Sequence, residues 1–182
     1  ARDMAKISKE ALENETFRYV ACKPNYYIAP TNKDKHGKEL WNHHKMVKRT
    51  MFNYDGVEGG KTGYTTKAGG TLVTFAKRGD QELIVVDLCA HGYELYEDTI
   101  KMLNYGFNNY KTIAPFKTMN TVLKDDTYGF LKTGNELSPY KIPLKHLNDV
   151  TVMLEKNQSA SKLTYKCKDN KYIISYDGKQ IG

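Results

Sequence analysis

Gly56-Val57-Glu58-Gly59-Gly60-Lys61-Thr62-Gly63-Tyr64-Thr65 sets a lysine and a threonine hydroxyl between glycines. An apolar, β-prone run, Thr71-Leu72-Val73-Thr74-Phe75-Ala76, follows soon after. Glycine lets another backbone approach closely. Lysine brings a point charge, and threonine a short donor beside it. As an exposed strand edge, Lys61 to Thr65 would pair with an extended peptide through main-chain hydrogen bonds. Lys61 and Thr62 would then meet the carboxylate at that peptide's end. The segment reads as a site for a short peptide with a free C-terminus.

Two other readings compete. A phosphate-binding P-loop needs four residues between its first glycine and Gly-Lys-Thr. Here three separate Gly56 from Gly60, and Asp55 stands where the glycine should be. A helix should follow, so that its N-terminus holds phosphate. Instead Gly63, Gly69, Gly70 and a β-prone run come next. The other reading is a glycine-rich turn with an exposed lysine. Lys132-Thr133-Gly134 is a second copy of the tripeptide among turn residues, so the tripeptide alone decides nothing.

Context decides more. The chain resembles the low-molecular-mass penicillin-binding proteins, the serine D-alanyl-D-alanine carboxypeptidases of cell-wall metabolism, whose signatures include Lys-Thr-Gly. Ala1-Arg2-Asp3-Met4-Ala5 looks like the start of a helix this family carries between its motifs. Residues 55 to 65, Ala68-Gly69, Ala76-Lys77-Arg78, Leu83-Ile84-Val85-Val86 and Met102-Leu103-Asn104-Tyr105-Gly106-Phe107 follow the family pattern. This series covers about residues 1 to 110. From Thr112 onward the chain is more weakly similar to the β-rich domain that follows in many members.

The resemblance implies a fold and a chemistry. The fold is α+β: part of a penicillin-binding, β-lactamase-like antiparallel sheet with flanking helices over residues 1–110. An incomplete, small all-β domain follows over 111–182. In the intact enzyme a serine attacks the D-Ala-D-Ala carbonyl and an acyl-enzyme forms. Lys61 is the implied catalytic residue here, orienting the substrate carboxylate and favouring proton movement. Thr62 would donate to that carboxylate and Gly63 would let the substrate backbone lie close. The Tyr64 N–H would be one of two oxyanion donors, and Thr65 completes the substrate strand. Peptidoglycan stem peptide and β-lactams are the implied partners, in an extracytoplasmic, cell-envelope setting. No cofactor is implied.

The departures are specific. The family's Ser-x-x-Lys and Ser-x-Asn do not precede Lys61. Ser138-Pro139-Tyr140-Lys141 and Ser159-Ala160-Ser161-Lys162 occur after it, in polar, turn-like sequence. The loop Cys89-Ala90-His91-Gly92-Tyr93 lacks the arginine that helps bind substrate in many relatives. The chain therefore reads as a fragment, inactive alone, of an active parent. The alternative is a non-catalytic module that binds cell-wall peptide or serves a structural role.

The remaining composition is less pointed. Twenty-eight Lys and Arg against 21 Asp and Glu give +7 over 182 residues, dispersed rather than clustered. No nucleic-acid motif accompanies the charge. An anionic cell-wall polymer is the partner the resemblance suggests for it. Cys22, Cys89 and Cys167 form neither a metal spacing nor a disulfide framework. Cys89 ends an apolar strand and reads as a buried small hydrophobe. His43-His44 reads as two exposed histidines on a short helix rather than as a metal site, because no third ligand is suitably spaced. No run approaches 18 apolar residues, and no signal peptide is present.

Hydrophobic periodicity places a helix over 2 to 13 and a helical turn from Glu15 to Val20. Tyr26 to Ile28 reads as a strand. Leu40 to Val47 reads as a helix with Trp41 as core anchor. Strands over 71 to 77 and 82 to 88 are joined at Gly79-Asp80. Tyr93 to Phe107 reads as a helix with Asp98 and Thr99 on the surface. β-prone segments follow at 121–123, 128–131, 150–154, 163–167 and 172–176, their tyrosines read as core or cross-strand partners. An unpaired strand edge and uncovered apolar side chains lead us to expect that residues 1 to 110 self-associate.

Overall fold

The computed structural model describes residues 1–48, 50–114, 132–133, 136–137, 150–168 and 171–181. Helix α1 (Arg2–Leu12) and helix α2 (Glu15–Ala21) come first, then β1 (Asn25–Ile28) and β2 (Lys38–Trp41). Strands β3 (Val57–Thr65), β4 (Gly69–Arg78) and β5 (Gln81–Ala90) form one antiparallel sheet in that order, and α3 (Glu94–Asn109) follows. The architecture is α+β, as expected. By internal packing the chain divides into two units, Ala1–Asn108 and Asn109–Gly182.

The sheet of the first unit follows from period-two alternation. Leu72, Thr74 and Ala76 leave β4 on one face. There Leu72 and Ala76 join Leu95, Tyr96, Leu103 and Phe107 of α3 in the main core. Val73 and Phe75 leave on the other face and meet Leu12, Ala21, Ile84 and Val86. Fully burying one such side chain contributes about 1.5–3 kcal/mol. Gly79, at φ +58, lets β4 return as β5. Arg18 of α2 clips the second face to the sheet edges: its guanidinium pairs with Glu58 at 2.7 Å and with Glu82. The Glu82 hydrogen bond is the leading cause of its raised pKa.

Four readings are corrected. Leu40 and Trp41 belong to a strand, not a helix: β1 pairs with β2 from Asn25↔Trp41 to Ile28↔Lys38. Trp41 is 53% exposed rather than a core anchor. An apolar pair alone does not separate a strand from a helix, and Asn42 then ends the strand. Its Nδ2 donates to the Ala21 and Lys23 carbonyls, and its Oδ1 accepts the His44 N–H. His43 is exposed but His44 is fully buried. Thr99 is also fully buried, because it falls in the four-residue stripe Leu95, Thr99, Leu103, Phe107. Cys89 is exposed, not buried. The β4–β5 register shifts between Gly70 and Thr71, which leaves Cys89 as the extra residue, at φ +66. Bulges of this kind re-aim a side chain.

The second unit holds β6 (Tyr110–Ile113), β7 (Lys132–Thr133), β8 (Glu136–Leu137) and β9 (Val152–Glu155), then β10 (Leu163–Lys168), β11 (Lys171–Tyr176) and β12 (Lys179–Gln180). β6 pairs with β9, β7 with β8, and β10, β11 and β12 form a meander. Val152, Leu154, Leu163 and Ile174 make its core, with Tyr176 packed against them. The expected strands at 121–123 and 128–131, and the Ser138 string, lie outside the described residues. No helix among the described residues is long and apolar enough to cross a membrane.

Candidate functional site

β3 is an edge strand: it pairs with β4 on one side, and among the described residues no strand pairs on the other. Every second residue of such an edge points its N–H and C=O outward, which is the template an extended peptide needs. The register runs Gly59↔Phe75, Gly60↔Thr74, Lys61↔Val73, Thr62↔Leu72, Gly63↔Thr71, Tyr64↔Gly70. Opposed residues share a face. Lys61 therefore leaves the strand on the face of α1 and α2, and Thr62 on the face of α3. The two reach one ligand only by flanking the open edge.

Lys61 is exposed, and its ammonium donates to the Thr62 carbonyl at 2.5 Å. No carboxylate among the described residues pairs with it. It is a cation held at an edge without a counter-ion. An added Cβ on Gly63 would lie 2.6 Å from Thr71 Oγ1, a hydroxyl that can rotate aside. Tyr64 is 76% exposed. Thr65 Oγ1 accepts the Ala68 N–H at 3.0 Å and so closes the β3–β4 turn.

The two glycines before Lys61 have distinct tasks. Gly59 faces α2: an added Cβ would sit 2.7 Å from Cys22 Sγ and 2.8 Å from the Ala21 oxygen. Gly60 faces the opposite way, onto the buried ring of His44. Sequence reasoning missed His44. The only signal was the glycine pair itself, which implies close packing on both faces of one strand.

His44 holds the back of the lysine strand. Its Nε2 lies 2.9 Å from Thr74 Oγ1, and its Nδ1 accepts the Met46 N–H at 3.3 Å. A ring nitrogen that accepts is unprotonated, so Nε2 carries the hydrogen. Burial lowers the pKa from 6.5 to about 4, against a smaller raising effect of a Val73 backbone hydrogen bond. The folded state thus refuses a proton that the unfolded chain takes. Stability from this residue is fully present above pH 6.5 and is lost as pH falls toward 4. Each pKa unit is worth about 1.4 kcal/mol, so the loss is roughly 2–4 kcal/mol. Urea midpoints measured from pH 7 to 4 should show a steeper fall for the native chain than for His44→Gln. Parallel curves would mean that His44 protonates inside the fold.

Ser159, in the second Ser-x-x-Lys string, caps a single 3₁₀ turn (Ala160–Lys162). Its Oγ is 2.8 Å from Ser161 Oγ, while Lys162 pairs with Asp177 at 3.4 Å. The lysine of the string is thus engaged elsewhere. Among the described residues no group of three His, Cys, Asp or Glu could hold a metal.

A family model described as D-alanyl-D-alanine carboxypeptidase matches residues 1–92. The chain is 29% identical over 188 residues to D-alanyl-D-alanine carboxypeptidase DacF of Bacillus subtilis (strain 168), covering 100% of this chain and 44% of that protein. It is 31% identical over 118 residues to DacC of Escherichia coli (strain K12), covering 64% of this chain and 27% of that protein. The solved structure of the Streptomyces K15 DD-transpeptidase superposes with a TM-score of 0.51 at 31% identity, over 59% of this chain and 41% of that one. The chain spans less than half the length of these proteins.

Proposed function

The chain belongs to the D-alanyl-D-alanine carboxypeptidase family, and from that membership we propose that it is the lysine-strand portion of a serine-type carboxypeptidase. The substrate is a peptidoglycan stem peptide ending in D-Ala-D-Ala. A serine oxygen, supplied outside this chain, attacks the penultimate carbonyl. The amide nitrogen takes a proton and leaves as D-Ala, and water then hydrolyses the ester. Lys61 orients the terminal carboxylate and Thr62 donates to it. Gly63 allows the peptide backbone to lie close, the Tyr64 N–H stabilises the oxyanion, and Thr65 holds the turn beyond it. β-Lactams acylate the same serine. The setting is the cell envelope. The observation that carries this reading is the uncompensated Lys61 ammonium at an open strand edge.

The test uses the full-length protein and a pentapeptide ending in D-Ala-D-Ala. Release of one D-Ala per peptide, blocked by penicillin, is expected. Peptide binding without D-Ala release would favour the non-catalytic alternative. The isolated chain should form no covalent adduct with a labelled penicillin. Neither Ser159 nor its lysine is arranged for attack. A stoichiometric adduct in mass spectrometry would overturn that, and would point to Ser138 or Ser159.

We also propose that the isolated chain self-associates. On the face that carries Lys61, α1 and α2 leave Met4, Ile7, Phe17 and Val20 between 40% and 65% exposed. Among the described residues β3 and β5 each pair on one side only. Open edges and apolar patches invite a second copy. Light scattering over a concentration series should show a rising mass. A constant monomer mass would refute the proposal.

A further inference from the structure

The β1–β2 hairpin carries apolar side chains into solvent. Among the described residues β1 and β2 pair only with each other, and every residue of both strands is exposed. A two-stranded hairpin alone is marginally stable in water, and this one is held at its base. There the Asn42 N–H donates to the Pro24 carbonyl, and Asn42 Nδ2 donates to those of Ala21 and Lys23. The fold thus presents the two strands rather than covering them.

Register sorts the side chains, because opposed residues share a face. Tyr26↔Leu40 and Ile28↔Lys38 define one face, and Asn25↔Trp41 and Tyr27↔Glu39 the other. On the first face Tyr26 is 56% exposed, and Ile28 and Leu40 are each 40% exposed. Lys38 stands at the loop end of this face. Lys23 stands at its base, 5.9 Å from the Tyr26 ring centroid. Neither lysine forms an ion pair with any described residue. The hairpin's carboxylates are engaged elsewhere. Glu39 is on the second face, where Asn25 Nδ2 donates to it at 3.2 Å. Asp34 Oδ1 accepts the His36 N–H inside the loop. The first face is therefore apolar at its centre and cationic at both ends. Such a face suits the boundary between water and lipid: alkyl groups and rings enter the acyl region, while hydroxyl and ammonium stay among the headgroups. A soluble polyanion would answer the lysines but leave Ile28 and Leu40 in water.

We propose that the face formed by Tyr26, Ile28 and Leu40 docks on the surface of an anionic phospholipid bilayer, with Lys23 and Lys38 at the lipid phosphates. This face shares no residue with the Lys61 edge, and the proposal does not depend on the peptidase reading.

Co-sedimentation of the chain with phosphatidylglycerol vesicles and with phosphatidylcholine vesicles tests this. The anionic vesicles should bind it at least about tenfold more tightly. Leu40→Ser, which changes no charge, should weaken that binding about fivefold. Lys38→Gln should also weaken it about fivefold, the effect of one lysine at an anionic surface. Lys77→Gln, an equal loss of charge at an exposed position of β4, should stay within about twofold of native. Equal binding to both vesicles would overturn the proposal. Anionic binding that survives Leu40→Ser, or equal losses in Lys38→Gln and Lys77→Gln, would overturn it too, by showing that net charge alone drives association. If Leu40→Ser instead lowers the mass seen by light scattering and leaves vesicle binding intact, the face takes a second copy of the chain and the proposal fails. Trp41, the single tryptophan, lies on the opposite face of the hairpin. Unchanged Trp41 emission in each vesicle-free variant ties a loss to the docking face, and Ile28→Ser replaces Leu40→Ser should the latter shift it.

Discussion

Lys61→Ala in the full-length protein is expected to cut both D-Ala release and penicillin acylation by on the order of 10²–10³, the loss typical of removing one preorganised electrostatic group from an acyl-transfer site. The expectation rests on where the charge sits. The ammonium is exposed at an open edge, has no carboxylate partner among the described residues and bonds only a carbonyl of its own strand. Among the described residues no carboxylate competes for it, so a substrate carboxylate would meet a cation already in place. The same features make the substitution mild for folding, since the side chain supports no core residue. Loss of activity with unchanged melting is the signature expected. Lys132→Ala is the control. It stands in the two-residue strand β7 of the other unit, paired among the described residues with β8, and its removal should leave both rates near native. Unchanged rates in Lys61→Ala would remove the lysine from the reaction. An equal loss in Lys132→Ala would mean that the other Lys-Thr-Gly copy is the site.

The strands around this lysine were legible because their signals are local. Alternation in Thr71 to Lys77 and the Gly79-Asp80 turn are enough to define β4 and β5, and α3 follows from its stripe at Leu95, Leu103 and Phe107. Three of the misread positions depend on partners distant in sequence, whereas Thr99 lies in the local stripe of α3. His44 is buried because Thr74, thirty residues away, accepts its hydrogen and Gly60 makes room for its ring. Cys89 is exposed because β5 carries one residue more than β4 can pair. Trp41 follows β1 into an exposed hairpin rather than the core. The lysine edge was legible as a candidate from its glycines, whereas the alternation that places Lys61 and Thr62 on opposite faces emerged only with the register.

Gly60→Ala is expected to be the most destabilising single-atom change in the lysine strand. A Cβ at this position would lie 2.0 Å from the Val73 carbonyl oxygen and 2.7 Å and 2.8 Å from His44 Cδ2 and Nε2. The first obstacle is backbone of the neighbouring strand, so relief requires β3 to pull away from β4. The second is a buried ring fixed by two hydrogen bonds, which cannot swing aside without leaving polar atoms unsatisfied. The backbone φ of +157° adds strain for any L side chain. Overpacking alone costs about 1–3 kcal/mol, and the added loss of strand pairing and buried hydrogen bonds should bring the total to roughly 4 kcal/mol. Gly79→Ala separates this packing argument from a general dislike of side chains at unusual φ. It sits at +58° with nothing within 4 Å of the added carbon, so only the left-handed penalty of about 1–2 kcal/mol applies. Gly63→Ala should fall lower still, because its obstacle is the rotatable Thr71 hydroxyl. Urea unfolding of the three variants should therefore rank Gly60 far below Gly79, with Gly63 nearest to native. A Gly60→Ala chain as stable as Gly79→Ala would show that β3 does not lie this close to Val73 and His44. The rigid backing of Lys61 inferred from that contact would then fall with it.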